Sequence, residues 1–336
     1  MDHSRKVASV AGFASLLWLG LTAAVAVSQR KLLFNPCLKR EVDRPRSNGH
    51  RTRAVVLRAR DGTRLSGWLM TPQAVGPHPA VLYFGGRSEE VSWVARDAGR
   101  LFPGMTVLAV NYRGYGESQG DPAEQHMVED GRTLYDWLAS HGHVDPNRIA
   151  VVGRSLGSGV AVQVARDRPV HSVVLVTPYD SILAIAKRRF RAVPVEYVLR
   201  HRFESVKYAP QLTAPTFVLR AANDDVVPHS HTDMLVAQLA RLEGDETVPD
   251  SDHMNIPYLE AAQSRIADFL CRRFFPQCEQ APAPSGPIVV PADSAAGAAA
   301  PIPAPVCAPI PAPASGPIPV PAPAAAVAVV PLATGA

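Results

Sequence analysis

Ile149-Ala150-Val151-Val152-Gly153-Arg154-Ser155-Leu156-Gly157-Ser158-Gly159 is the stretch whose reading decides the fold. Its first four residues form an apolar run of the kind that makes a buried strand. Val160, Ala161, Val164 and Ala165 follow at i, i+1, i+4 and i+5, the spacing of one helical face. Between them stands Gly-x-Ser-x-Gly. A strand that turns this sharply into a helix holds the serine in a strained backbone conformation, with its hydroxyl lifted at the carboxyl end of the strand. Gly153 and Gly157 fall where a Cβ would collide with the turn or with the helix packing back on the strand. The helix N-terminus at Leu156 offers free N–H groups to a developing oxyanion. A bare Gly-x-Ser-x-Gly arises by chance at ordinary Gly and Ser frequencies. The strand before it and the helix after it mark Ser155 as a nucleophile.

A serine hydroxyl is inert until a base takes its proton and a third group orients that base. Ala214 to Arg220 reads as a buried strand, and Ala221-Ala222-Asn223-Asp224-Asp225-Val226-Val227-Pro228 is the turn at its carboxyl end. Asp224 is the candidate acid, with Asp225 its competitor. Asp250-Ser251-Asp252-His253-Met254-Asn255 is a polar loop before the last helical stretch, and His253 is the candidate base. The order Ser155, Asp224, His253 is that of hydrolases with a nucleophile elbow, not of the chymotrypsin or subtilisin types. His78, His126, His141, His143, His171 and His201 precede the acid loop, and His229 and His231 follow it too closely. A metal site at His229-Ser230-His231 would need a further ligand; the plainer reading is a solvated helix start. No metal and no cofactor are called for.

The oxyanion formed at an attacked carbonyl takes one N–H from the residue after the nucleophile, here Leu156, and one from the loop after the third strand. Ala80 to Phe84 is that strand. Gly85-Gly86-Arg87-Ser88 leaves it in a turn where Gly86 or Arg87 supplies the second donor.

Four stretches now carry a resemblance. They are Tyr83-Phe84-Gly85-Gly86-Arg87, Asn111-Tyr112-Arg113-Gly114-Tyr115-Gly116-Glu117-Ser118, the elbow at Ser155, and the pairing of Asp224-Asp225-Val226-Val227-Pro228 with His253. Residues 30 to 275 resemble the α/β-hydrolases, and within them the membrane-anchored esterase and depalmitoylase-like branch. In that branch an Arg-Gly-x-Gly-x-Ser loop follows the fourth strand and braces the site. The resemblance implies a serine esterase. One departure stands out: many relatives carry His-Gly-Asn where this chain has Gly85-Gly86-Arg87.

The remaining pattern agrees with a single α/β unit. A hairpin-like pair, residues 54–59 and 64–70 around Asp61-Gly62, opens it. Strands at 80–84, 105–110, 149–152, 171–176 and 215–219 then alternate with helices near 89–101, 122–140, 155–167, 231–242 and 258–273. This predicts a mostly parallel central sheet with helices on both faces. A basic-aromatic insert between Ser181 and Pro210, after the sixth strand, is expected to be a small helical cap that selects the substrate; the alternative is a solvated basic helix. A net charge of +4 is too mild to argue for nucleic acid, and no nucleic-acid module is visible.

The two ends differ from the centre. Val7 to Val27 carries no charge and is long enough to cross a bilayer core. A signal peptide's apolar region is shorter, so a membrane anchor is favoured, although Ala24-Val25-Ala26 offers a cleavage site. Arg5 and Lys6 precede the span, and Arg30, Lys31, Lys39 and Arg40 follow it. A count of positive flanks would keep the domain in the cytoplasm; relatives of the branch leave both sides open, and an exported domain on a bacterial inner membrane is the working expectation. The abundance of arginine over lysine, with much Ala and Pro, suggests a GC-rich bacterial genome. From Glu279 the chain turns to Pro and Ala and is expected to be a disordered, partly polyproline-like tail, a candidate for protein contacts. Cys271 and Cys278 have a spacing that permits pairing, while Cys37 and Cys307 have no obvious partner.

The division expected is therefore 1–30 anchor or signal, 31–278 catalytic domain and 279–336 tail, with neither end contributing to the catalytic core. The activity expected is cleavage of an ester or thioester of a small-molecule or lipid acyl substrate. A serine peptidase of the same fold is the nearest rival. A catalytically silent, membrane-anchored binding protein is the rival from another class.

Overall fold

The computed structural model of the chain describes residues 2–276. The tail, Cys278 and Cys307 lie outside the described residues. Among the described residues eight strands form one sheet: β1 (His50–Arg58), β2 (Arg64–Pro72), β3 (His78–Phe84), β4 (Thr106–Val110), β5 (Val144–Arg154), β6 (Ser172–Val176), β7 (Thr216–Asn223) and β8 (Leu242–Asp252). Their order across the sheet is β1-β2-β4-β3-β5-β6-β7-β8. β1 pairs antiparallel with β2 and β2 with β4, and every later pairing is parallel.

The central strands are apolar without alternation because both sheet faces are covered. Leu82 and Val151 point into one core and Val81 and Val152 into the other, as the two-residue strand repeat dictates. Helices α3 (Glu124–Ala139) and α4 (Leu156–Asp167) close the first face. Helices α2 (Ser92–Leu101) and α9 (Glu260–Phe274) close the second, with Trp93, Val94, Ile266 and Phe269 buried against the strands.

Two elements differ from what the sequence predicts. The helix expected at 231–242 is shorter, α8 (His229–Val236), and the chain then re-enters the sheet as β8. This strand escapes the hydrophobic pattern because it is an edge: of its eleven residues only Val248 and Ser251 are buried, and its acidic residues keep the free edge polar. The helix expected from Glu89 begins only at Ser92, because the Glu89 side chain turns inward to ion-pair with Arg154.

The insert between β6 and β7 folds into α5 (Ile182–Arg189), α6 (Val195–Val198) and α7 (Ser205–Tyr208). Ser181 caps α5 by accepting from the Ala184 N–H at 3.0 Å. Ile182, Ile185 and Ala186 face a cavity while Lys187 and Arg188 are exposed. The insert thus lines the cavity with its apolar side and carries basic residues on its outer side.

The N-terminal helix α1 (Asp2–Leu33) gives a larger correction. Residue 30 is no boundary. The Gln29 side chain donates to Val198 O (3.0 Å) and accepts from the Arg200 N–H (2.8 Å). Arg87 Nε donates to Leu32 O at 2.9 Å, the Ser88 N–H donates to Phe34 O, and the Phe34 ring is fully buried in the first core. An apolar helix contributes to a fold wherever the fold leaves an apolar groove for it, and composition alone does not reveal that groove.

Candidate active site

The site forms at the carboxyl ends of β3, β5, β7 and β8. Ser155 directly follows β5 with φ 48° and ψ −117°, a left-handed region that costs a non-glycine residue about 1–3 kcal/mol. Its own N–H donates to Val176 O of β6 at 2.9 Å, so the strained turn is held by the sheet. The flanking glycines make the turn possible. A Cβ on Gly153 would lie 2.5 Å from Gly157 O, and one on Gly157 would overlap the Phe84 carbonyl.

His253 and Asp224 meet Ser155 through the pairing of β7 with β8. Asn223 at the end of β7 stands in register with Asp252 at the end of β8, which sets the acid loop beside the base loop. Ser251 Oγ accepts from the Ala222 N–H at 3.0 Å, and Asp252 Oδ1 accepts from the N–H groups of Met254 (2.7 Å) and Asn255 (2.8 Å). These bonds fix the loop that carries His253. The Ser155 hydroxyl donates to His253 Nε2 at 2.7 Å. His253 Nδ1–H donates to Asp224 Oδ2 at 2.8 Å and lies 3.0 Å from Oδ1. The carboxylate fixes the tautomer, since it can only accept.

Asp224 Oδ1 also accepts from the N–H groups of Val226 (3.0 Å) and Val227 (2.7 Å). The His253 and Asp224 side chains are 5% and 4% exposed. Asp225 is exposed. His229 and His231 lie elsewhere, at the start of α8. The first is bonded to Ala221 O, and the second donates to Asp180 at 2.8 Å. Among the described residues no three His, Cys, Asp or Glu side chains gather as a metal site.

The loop after β3 separates its two candidate donors. The Gly86 N–H donates to Glu89 Oε2 at 2.7 Å and is occupied. Among the described residues nothing accepts from the Arg87 N–H, and Arg87 lines the same cavity as Ser155 and Leu156. The Leu156 N–H opens α4 and has no acceptor within the helix.

Sequence reasoning missed the group that ties these loops together. Arg154, next to the nucleophile, is buried; its Nη1 donates to Glu89 Oε2 (2.7 Å) and its Nη2 to His253 O (2.8 Å). Glu89 Oε1 accepts from Tyr83 OH (2.7 Å) and Trp93 Nε1 (3.0 Å). Burial works against the Arg154 charge, but Glu89 and its other neighbours more than restore it, and the guanidinium pKa is raised. A buried pair of this kind adds little net stability, whereas removing one partner costs about 3–5 kcal/mol. Its evident consequence is geometric: one guanidinium joins the β3 loop, the elbow and the histidine loop. The signal was present in a buried-strand arginine and an acidic pair just past Gly85-Gly86.

The loop after β4 braces the same region. Tyr112 OH donates to Gly85 O at 2.9 Å, Asn111 Nδ2 donates to Glu90 Oε1 at 2.9 Å, and Arg113 grips Asp130 through two bonds of 2.8 Å. Gly116, at φ 51°, leaves no room for a Cβ, which would lie 2.6 Å from Asn111 Nδ2.

Above Ser155 lies a cavity of about 290 Å³, at the small end of sites for organic ligands. Ile182, Ile185, Phe190 and Val198 of the cap form one side, and Val25, Leu32 and Leu33 of α1 form another.

Comparison with known proteins bears on the fold and the family. The family model of the X-Pro dipeptidyl-peptidases (S15 family) matches residues 61–192. An uncharacterized protein of Mycobacterium tuberculosis (strain CDC 1551 / Oshkosh) is 33% identical over 266 residues, covering 79% of this chain and 93% of the relative. The alpha/beta hydrolase domain-containing protein WAV2 of Arabidopsis thaliana is 26% identical over 252 residues, 68% of this chain and 81% of its own. Lysophosphatidylserine lipase ABHD12 of Danio rerio is 26% identical over 270 residues, 63% of this chain and 69% of its own. Among solved structures, an acetyl xylan esterase from Paenibacillus sp. R4 superposes with a TM-score of 0.55 at 21% identity, covering 76% of this chain and 93% of that one. An esterase of Pyrococcus furiosus does so with 0.56 at 20% identity, covering 71% and 100%. Shared sequence across most of the chain, on a mostly parallel sheet with helices on both faces, makes this protein a member of the α/β-hydrolase superfamily.

Proposed function

We propose that the protein is a membrane-attached serine hydrolase that cleaves a carboxylic ester or thioester through an acyl-enzyme. The observation that carries this is the continuous line of bonds from Ser155 Oγ through His253 to Asp224. His253 Nε2 accepts the hydroxyl proton as Oγ bonds to the acyl carbon. Asp224 stabilises the imidazolium that results. The Leu156 and Arg87 N–H groups receive the oxyanion. On collapse the bond to the leaving oxygen or sulfur breaks and His253 returns the proton to it. Water then attacks the acyl carbon as His253 takes its proton; the bond from the acyl carbon to Ser155 Oγ breaks, His253 returns the proton to Oγ, and the acid departs. No cofactor enters the sequence.

A second reading has one observation in its favour: the family model of the X-Pro dipeptidyl-peptidases matches residues 61–192, so amide cleavage is the rival. The apolar lining of the cavity favours an acyl chain over a peptide backbone, which would need polar partners. Turnover of p-nitrophenyl esters of graded length beside Xaa-Pro p-nitroanilides decides between them. Ester hydrolysis with little amide hydrolysis supports the proposal, and the reverse preference replaces it.

A further inference from the structure

Ester chemistry does not require an N-terminal helix at the site, yet α1 forms a wall of the cavity. The residues of α1 that meet the fold run Thr22, Val25, Ala26, Gln29 and Leu33, a stripe at i, i+3, i+4, i+7 and i+11. The side facing away from this stripe is uncovered at Val27, 84% exposed, and Leu21, on the flank four residues before Val25, is 47% exposed. Val7 to Val27 carries no charge, and an uncovered apolar helix side belongs in an apolar surrounding. The segment long and apolar enough to cross a membrane is Ser15–Leu33, so the residues offered to lipid and those lining the cavity belong to one continuous stretch. Phe13, Leu16, Leu17, Leu21 and Leu32 carry the exposed apolar surface along it to the cavity. At the far end, Leu32 O is bound by the Arg87 side chain, and Arg87 belongs to the loop proposed to hold the oxyanion.

We propose that α1 selects the substrate as well as attaching the protein. Val25, Leu32 and Leu33 hold the acyl chain of a membrane-resident ester, which passes from the lipid phase along α1 until its carbonyl reaches Ser155. This inference rests on the hydrolase reading above, and the cap residues Ile182, Ile185 and Phe190 supply the opposite wall.

The test uses the full chain in phosphatidylcholine vesicles and two probes, ethyl and hexadecyl fluorophosphonate, whose phosphorus is attacked by Ser155 Oγ with loss of fluoride. The readout is the ratio of hexadecyl to ethyl labelling rates. Val25→Trp and Leu33→Trp fill the chain wall and should lower this ratio about tenfold, equivalent to roughly two methylenes no longer buried. Val27→Trp adds the same bulk on the outer side and should leave it unchanged. If a tryptophan variant loses both labels, Val25→Ala and Leu33→Ala carry the test, with an expected fall of about threefold from lost contacts. A ratio unchanged in the Val25 and Leu33 variants, or lowered equally by Val27→Trp, overturns the inference alone. No labelling of Ser155 by either probe in the parent chain overturns the hydrolase reading and this inference with it.

Discussion

The two halves of the cavity are built on different physics. The floor, where Ser155, His253 and Asp224 meet, is made of strand ends whose positions are fixed by ladder hydrogen bonds, by glycines that admit no Cβ and by the buried Glu89–Arg154 pair. The walls, made by α1 and the cap, rest on apolar contact and a few bonds from long side chains such as Gln29. Geometry good to fractions of an ångström is needed where bonds are made and broken. An acyl chain asks only for apolar surface of the right extent. The comparison predicts that changes in the floor cost activity outright, whereas changes in the walls redistribute it among chain lengths.

The largest effect that would break this contrast lies within one loop. Asp224→Asn should lower ester turnover about 10⁴-fold, because the amide no longer fixes the histidine tautomer, while Asp225→Asn should stay within about tenfold of the parent. Side-by-side rates with the order reversed would move the acid to Asp225. Next comes the Glu89–Arg154 pair. Glu89→Gln leaves a buried guanidinium without its counter-charge and should cost about 3 kcal/mol of unfolding free energy in urea. That is a large share of a domain's typical stability of about 5–15 kcal/mol. A variant as stable as the parent would show that the floor is not organised around this pair.

The walls give a smaller and different response. Deleting residues 2–32 removes the Leu32 carbonyl that Arg87 binds and one side of the cavity. Short-ester kcat/KM should fall by about tenfold, with a larger loss on long esters. Deleting 279–336 should change neither. A chain lacking α1 that keeps the full chain-length profile would return α1 to the role of a simple anchor.

The smallest effect concerns acid. His50 is buried, with Nε2 bonded to Met105 O, and burial holds its pKa below the ordinary value of 6.5. The unfolded chain therefore takes up the proton first as pH falls. The associated stability is complete above 6.5 and is lost as pH drops toward the lower folded value. His50→Gln should flatten that part of the profile when melting temperature is followed from pH 7.5 to 5. An unchanged slope would assign the acid sensitivity to other groups.

The floor was largely legible in the sequence because the restrictions that build it act on residue type. Only glycine fits at 153 and 157, a buried strand must be apolar, and an acid and a base must follow the serine. What escaped notice was held by partners remote in sequence. β8 reads as polar because it is an edge, although its pairing with β7 places His253. Glu89 reads as a helix start, although Arg154, 65 residues on, draws it inward. Of the two candidate donors in Gly86-Arg87, only the folded chain shows that Glu89 occupies the Gly86 N–H. The wall role of α1 was hidden most completely, since a lipid-facing helix and a cavity-lining helix have the same composition.

The proposed hydrolysis turns on Ser155 as a nucleophile activated by His253. The most direct test is treatment of the purified full chain with a fluorophosphonate, followed by peptide mass spectrometry, beside the Ser155→Ala variant. A single stoichiometric adduct on Ser155, absent from Ser155→Ala together with ester turnover at least about 10⁴-fold above the variant's, is the predicted result. An unmodified Ser155, or a Ser155→Ala chain that hydrolyses esters at the parent rate, would contradict it.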